Sequence, residues 1–168
     1  MKMKIRNERL DDILAIEAVT QAAFLNAAHS SHTEHFIVNQ LRKDHQLTLS
    51  LVAEEQQEII GHVAVSPVRL SSGEVGWYGL GPISVLPSKQ GLGIGTQLMQ
   101  AALQALKNIG ATGCVLLGDP HYYARFGFQV FPDLNLADVP KEYFQAITFA
   151  DSIPKGDVQY SAAFNATQ

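Results

Sequence analysis

Cysteine is almost missing from this chain, and that already narrows its chemistry. A lone Cys114 excludes an internal disulfide framework and any four-cysteine zinc site. Long apolar runs are missing too: nothing approaches the roughly 18 residues of a transmembrane helix. Positive charge is in short supply. Twelve lysines and arginines stand against sixteen acids, a net charge of −4. That argues against a nucleic-acid binder held by phosphate contacts and against a polybasic membrane anchor. Met1 to Arg6 is basic but lacks the apolar stretch of a signal peptide, so the cytoplasm is the expected location. Repeats, low-complexity tracts and linkers are lacking, and with them any internal boundary. The 168 residues, 46% hydrophobic, are therefore expected to form one domain over 1–168, large enough to bury about 70% of the unfolded chain's surface. What the chain does have is glycine, thirteen in all and unevenly spaced.

Lys4 to Arg6 reads as a short strand. Asp11 and Asp12 suit a helix start, and Ile13, Ile16, Val19 and Phe24 carry that helix to residue 24. Ser31 and Glu34 have capping-box spacing ahead of Ile37, Val38 and Leu41, which predicts a second helix ending near Asp44. Leu47–Glu54, Ile59–Leu70 and Val75–Leu86 are three strands joined by polar turns, hence an antiparallel meander. Ile94, Leu98, Ala102 and Leu106 recur every fourth residue and mark the clearest helix, closed by Gly110 and Gly113. The apolar run Cys114–Leu117 is expected to be a central strand parallel to Val75–Leu86. A short helix near Tyr122–Phe126 and strands near Phe128–Val130 and Val158–Phe164 follow. Between Pro132 and Pro154 the pattern is ambiguous, with Lys141–Phe149 either a turn or two of helix or an irregular lid.

Between strand and helix lies the densest glycine cluster, Gln90-Gly91-Leu92-Gly93-Ile94-Gly95-Thr96. Glycine lets backbone amides approach a ligand, and a helix start presents unpaired N–H groups and the positive end of its dipole. Together they make an anion site suited to a pyrophosphate, unless the loop is only a tight turn. The third glycine comes too early for the dinucleotide fingerprint, and no lysine precedes Thr96 as a P-loop requires.

The spacing Gln90-x-x-Gly93-x-Gly95 resembles the Q/R-x-x-G-x-G/A signature of the GNAT superfamily of N-acetyltransferases. Leu80-Gly81-Pro82-Ile83-Ser84-Val85-Leu86-Pro87 is similar to the family's strand ahead of that loop, and Tyr123 to Phe128 to its Y-x-x-x-G-F segment. The resemblance runs from about Lys4 to Phe128. It implies an α/β fold with a mixed, mostly antiparallel central sheet, splayed between its fourth and fifth strands and flanked by helices. It further implies direct transfer of an acetyl group from acetyl-CoA to an amine of a small molecule or protein, without a metal. Gln90, Gly91, Leu92, Gly93, Ile94, Gly95 and Thr96 would cradle the pyrophosphate. A bulge near Gly81-Pro82 would open the sheet, leaving the backbone of Ile83 and Val85 to pair with the pantetheine amides and the Ile83 N–H to hold the oxyanion. A homodimer is compatible with the family. The alternative is a non-catalytic acyl-CoA-binding module.

Tyr123 takes the position of the family's donor to the departing thiolate. Its pKa of about 10 lies above the roughly 8.5 of a thiol, so complete transfer is uphill by about 2 kcal/mol and a hydrogen bond to sulfur is the better description. Tyr122 is expected to pack, and Arg125 to sit at the surface or in an ion pair. The base that deprotonates the amine is open, because Val75–Leu86 holds no acid. Glu34, Glu54, His62, Asp119, His121 and water are the candidates. His29, His32 and His35 are three apart, but without a carboxylate cluster they read as a solvated helix start rather than a metal site. Cys114 is expected to be a buried, inert thiol. Trp77 and Tyr78 either line the substrate entrance or pack.

Overall fold

A computed structural model describes residues 2–28 and 30–168. Its frame is a six-stranded sheet made of β1 (Met3–Asn7), β2 (Leu49–Glu55), β3 (Glu58–Pro67), β5 (Trp77–Val85), β6 (Gly113–Leu117) and β8 (Phe144–Thr148), in that order. Only β5 and β6 run parallel; the other neighbours are antiparallel. Three short strands, β4 (Arg69–Leu70), β9 (Gly156–Gln159) and β7 (Leu134–Asn135), form a second sheet. Among the described residues no helix is long and apolar enough to cross a membrane.

Helix α3 (Ile94–Asn108) buries Ile94, Leu98, Met99, Ala102, Leu103 and Leu106, the face its fourfold repeat predicts. That face packs on Leu51, Val63, Val65 and Leu80 of the sheet. On the other side, α1 (Ile13–Phe24) and α2 (Glu34–Lys43) cover Val52, Ile59 and Ala64 with Ile16, Val19 and Val38. β3, covered on both sides, is buried from Ile59 to Ser66. Beside the α1–α2 layer, Trp77, Val115 and Ala146 of the main sheet pack against Leu70, Leu134 and Val158 of the small one.

Asp12 is the N-cap of α1, and its carboxylate accepts the Arg9 backbone N–H at 2.7 Å and the Arg6 guanidinium at 2.7 Å. Arg6 also donates to Glu54, so one guanidinium joins β1, β2 and the start of α1. α2 starts later than its capping-box spacing predicts. Thr33, not Ser31, is the N-cap, and the Glu34 carboxylate is held by the Ser30 hydroxyl at 2.7 Å.

Four other expectations are corrected. Ile59–Leu70 is not one strand: Pro67 has no N–H for the ladder, and after it the chain leaves for the small sheet. Phe128–Val130 contributes only an isolated bridge, Gln129 to Ala146. Val158–Phe164 is split between β9 and a 3-10 turn, Ala162–Asn165. Lys141–Phe149 is helical for one 3-10 turn only, Lys141–Tyr143, and then becomes β8, paired with β6 from Phe144 to Thr148, rather than a lid.

Candidate active site

β5 carries the opening that the site needs. Val63 pairs with Ile83 and Val65 with Leu80, so two steps along β3 match three along β5. The extra residue is a bulge at Gly81-Pro82, where the peptide bond is cis. β5 and β6 pair at Trp77–Gly113, Tyr78–Cys114 and Gly79–Val115, and no further. The fourth and fifth strands of the main sheet therefore part after Gly79. This leaves the β6-facing edge of β5 without a strand partner from Leu80 to Val85, an edge able to take an amide-bearing chain as an added strand. Ile83 and Val85 are half-buried toward α3.

β5 delivers the chain to the glycine loop at the same end of the slot. Gly91 (φ +79°) and Gly93 (φ +82°) take left-handed conformations that other residues adopt at a cost. Gly93 is the N-cap of α3, and no side chain caps the helix. The N–H groups of Ile94, Gly95 and Thr96 thus lack intrahelical partners. The Gln90 side chain donates to the Val85 carbonyl at 3.1 Å, tying the loop to β5, and Lys89 pairs with Glu55 at 2.8 Å. A cavity of about 360 Å³ is bounded by Val85, Lys89, Gln90, Gly91, Gly93 to Thr96, Tyr122 and Arg125. Leu92 points away, 65% exposed.

Tyr122 and Arg125 come to this cavity although their sequence positions suggested packing and a surface pair. The Arg125 guanidinium lies over the Tyr122 ring, 4.6 Å from its centroid. The Tyr122 hydroxyl lies next to Gly95, where an added Cβ would meet it at 3.5 Å. The two residues are three apart on a helical turn, spacing that places them on one side. Read as a face, that spacing is the signal by which they could have been found.

Tyr123, the last residue of α4 (Pro120–Tyr123), turns the opposite way. It joins the main core, edge-on to Phe128 and to Tyr122. Burial, reinforced by the neighbouring Tyr122 and Asp119, pushes its pKa up to about 12. Against a thiol near 8.5, complete proton transfer would then cost about 5 kcal/mol. A phenol this reluctant to ionise keeps its proton and can serve only as a hydrogen-bond donor.

The candidate bases have other engagements. Glu54 is held by Arg6 and Lys4, whose hydrogen bonds keep its pKa below the usual carboxylate range. It lines a groove of about 900 Å³ between β1 and α1, which Gln90 to Thr96 do not line. Asp119 is the N-cap of α4 and accepts the His121 N–H at 2.9 Å, while His121 itself is exposed. His62 is wholly buried. Trp77 and Tyr78 pack, Trp77 at 1% exposure against Gly113. Cys114 is buried, and burial raises its thiol pKa, as expected of an inert thiol. His29 lies outside the described residues. His35 is not solvated but buried against Phe36. Among the described residues no group of three or more histidines, cysteines or acids is placed to hold a metal.

Comparison with known proteins agrees with this geometry. Residues 46–130 match the family model described as an acetyltransferase (GNAT) domain. The chain is 37% identical over 159 residues to the uncharacterized N-acetyltransferase YhbS of Escherichia coli K12, covering 90% of this chain and 95% of that one. Among solved structures it is similar to a GNAT family acetyltransferase from Brucella melitensis in complex with acetyl-CoA. There the identity is 50%, the TM-score is 0.88, and 97% of this chain and 98% of that chain are covered. It is also similar to E. coli YhbS in complex with CoA, at 34% identity and TM-score 0.90, covering 100% and 94%. An opened sheet, an anion-binding loop at its mouth and relatives matched over nearly their whole length lead to one assignment: the chain belongs to the GNAT family and is an acetyl-CoA-dependent N-acetyltransferase.

Proposed function

We propose that residues 1–168 act as one domain that acetylates an amine of a small molecule or protein, within the cytoplasm, where acetyl-CoA is at hand. The amine attacks the thioester directly. Gln90 to Thr96 cradle the pyrophosphate, the backbone of Ile83 and Val85 pairs with the pantetheine arm, and the Ile83 N–H holds the oxyanion. Tyr123 donates a hydrogen bond to the departing sulfur. One observation carries this reading. The free edge of β5 runs into the cavity at the start of α3, so a ligand with an amide-bearing arm and an anionic end fits both at once. The small sheet shares a core with β5, β6 and β8, which supports one unit rather than two.

The test is release of free CoA from acetyl-CoA with spermidine, lysine, an aminoglycoside and a peptide with a free α-amine. Tyr123→Phe should lower kcat roughly a hundredfold while leaving acetyl-CoA affinity near the wild-type value. Unchanged kcat in that variant removes Tyr123 from the reaction, and no release with any amine removes this acceptor class.

A further inference from the structure

The fork where β5 and β6 part is covered, on the face opposite α3, by two side chains. Gly79 is the last residue of β5 paired with β6. A Cβ there would lie 2.9 Å from Tyr160 Cε2, 3.3 Å from Tyr160 Cζ and 3.2 Å from Val68 Cγ1. Both residues belong to the core between the main and the small sheet. Cys114 of β6 shows which edge of Gly79 the phenol faces. Burial raises the Cys114 thiol pKa, and the Leu80 N–H opposes the rise by donating to the sulfur. Leu80 is the first residue of β5 beyond the fork, so that sulfur marks the closed end of the slot. Burial also raises the Tyr160 phenol pKa, and Cys114 adds to the rise, so the hydroxyl lies toward β6 and the slot. No hydrogen bond among the described residues engages it.

Val68 and Tyr160 also bound a cavity of about 340 Å³, together with Gln46, Arg69, Gln159 and Ser161. The cavity therefore stands one ring away from the fork, and stereochemistry favours it as the way in for the acceptor. A pantetheine arm paired with β5 as an added strand holds its carbonyls, the thioester carbonyl included, in the plane of the sheet. Attack on a carbonyl comes from above or below that plane. On the α3 side Tyr123, Phe128 and Leu98 fill the space. The acceptor is left with the side on which Val68 and Tyr160 stand. Arg69 is the one charged residue that lines the cavity. It is exposed, and its guanidinium has no ion pair or hydrogen bond among the described residues. Asp157, the acid of β9, lines a different cavity. A lone guanidinium attracts a carboxylate or phosphate and repels a second ammonium.

Resting on the acetyltransferase reading, we propose that the acceptor reaches the thioester through this cavity, past Tyr160, and is an amine on an aliphatic arm whose far end is anionic and pairs with Arg69. The length of the arm follows from the strand register. Val63 faces Ile83, Val65 faces Leu80 and Ser66 faces Gly79, so three strand steps, about 10 Å, separate Ile83 from the fork. An amine that enters beside Tyr160 and attacks a carbonyl held at Ile83 must be carried on several methylenes. Val68, Pro67 and Ala162 offer such an arm an apolar wall, and the unbonded Tyr160 hydroxyl offers the amine a hydrogen-bond partner on its way. A polyamine, with a second ammonium where the anion belongs, meets the Arg69 charge unfavourably.

Three amines test this on the full chain with acetyl-CoA: ε-aminocaproate, hexylamine and hexamethylenediamine. They share one arm and differ in the charge at its far end, which is negative, neutral and positive. kcat/KM should fall in that order, with about fivefold between the first two at low salt and less as salt rises. Arg69→Gln should bring the first two close to equality, and Arg69→Lys should keep most of the preference. No preference for ε-aminocaproate in the wild type, or a preference that survives Arg69→Gln, overturns the proposal. Failure of all three to release CoA overturns the amine-acetylation reading instead. Calorimetric titration of ε-aminocaproate into the CoA complex then decides the cavity: binding that weakens in Arg69→Gln supports it, and no binding, or equal binding in that variant, overturns it.

Discussion

Gly118 offers a way to move Tyr123 without touching its hydroxyl. It follows β6 directly, and its φ lies outside the left-handed region, so alanine strains no backbone there. The obstacle is steric. A Cβ at this position would lie 2.3 Å from Tyr123 Cε2 and 3.0 Å from Cδ2. Ordinary carbon contacts are about 3.5–4.0 Å, so the ring or its helix must retreat by more than about 1 Å. The ring is boxed in by Tyr122, Phe126 and Phe128, and the Gly118 carbonyl is held by the buried Gln145 amide at 3.0 Å. Retreat must therefore shift the whole α4 turn.

Overpacking of this kind costs about 1–3 kcal/mol, a fall in melting temperature of roughly 2–10 °C for a chain of this size. A displacement of about 1 Å in a positioned donor costs up to a hundredfold in rate. Gly118→Ala should show both losses in thermal melts and steady-state kinetics, with acetyl-CoA affinity by calorimetry nearly intact. Combined with Tyr123→Phe, it should add little further loss in kcat, because both remove the same hydrogen bond. A variant that melts lower yet turns over at the wild-type rate would refute the role given to the placement of Tyr123.

Two further outcomes follow from the same structure. Arg125→Ala should weaken acetyl-CoA binding about tenfold at low salt, less as salt rises, with kcat at saturation unchanged, since a hydrogen bond from a charged group contributes about 1.5–3 kcal/mol; equal calorimetric affinities would exclude Arg125 from the phosphate cavity. Acid should also destabilise the fold, because the buried His62 pKa is about 4 against the 6.5 of an unfolded histidine. Between those values the unfolded chain binds the extra proton, so stability falls as pH drops below 6.5, by about 2 kcal/mol at pH 5. Urea unfolding at pH 7 and pH 5 reads the difference, and equal stabilities would mean that His62 is not sealed off.

What the sequence conveyed about this protein was what short-range pattern can carry. The fourfold repeat of Ile94 to Leu106 states its own buried face, and the glycines after Gln90 announce a loop in which Gly91 and Gly93 take φ values that only glycine adopts easily. β8 is different. Its buried face alternates as a strand should, with Phe144 and Ala146 in one core, but the preceding Lys141-Glu142-Tyr143 does form a helical turn, and the strand exists because β6 offers a free edge. Nothing local to Phe144–Thr148 encodes that edge. Arg125 was visible as a letter of a motif but not as a partner of Tyr122, which needs the turn's three-residue spacing read as a face. Farther still from local legibility is a buried chain in which the Ser50 hydroxyl donates to the Glu8 carboxylate and lies 2.8 Å from His62 Nε2. Its members come from the loop after β1, from β2 and from β3, and each alone is an unremarkable polar residue. The register of β2 and β3 brings Ser50 and His62 together, and the direction of one hydroxyl proton then decides which histidine nitrogen is bare. Chemistry set by register and proton direction becomes readable only once the sheet is assembled, which is why the cofactor side of this enzyme was the legible side.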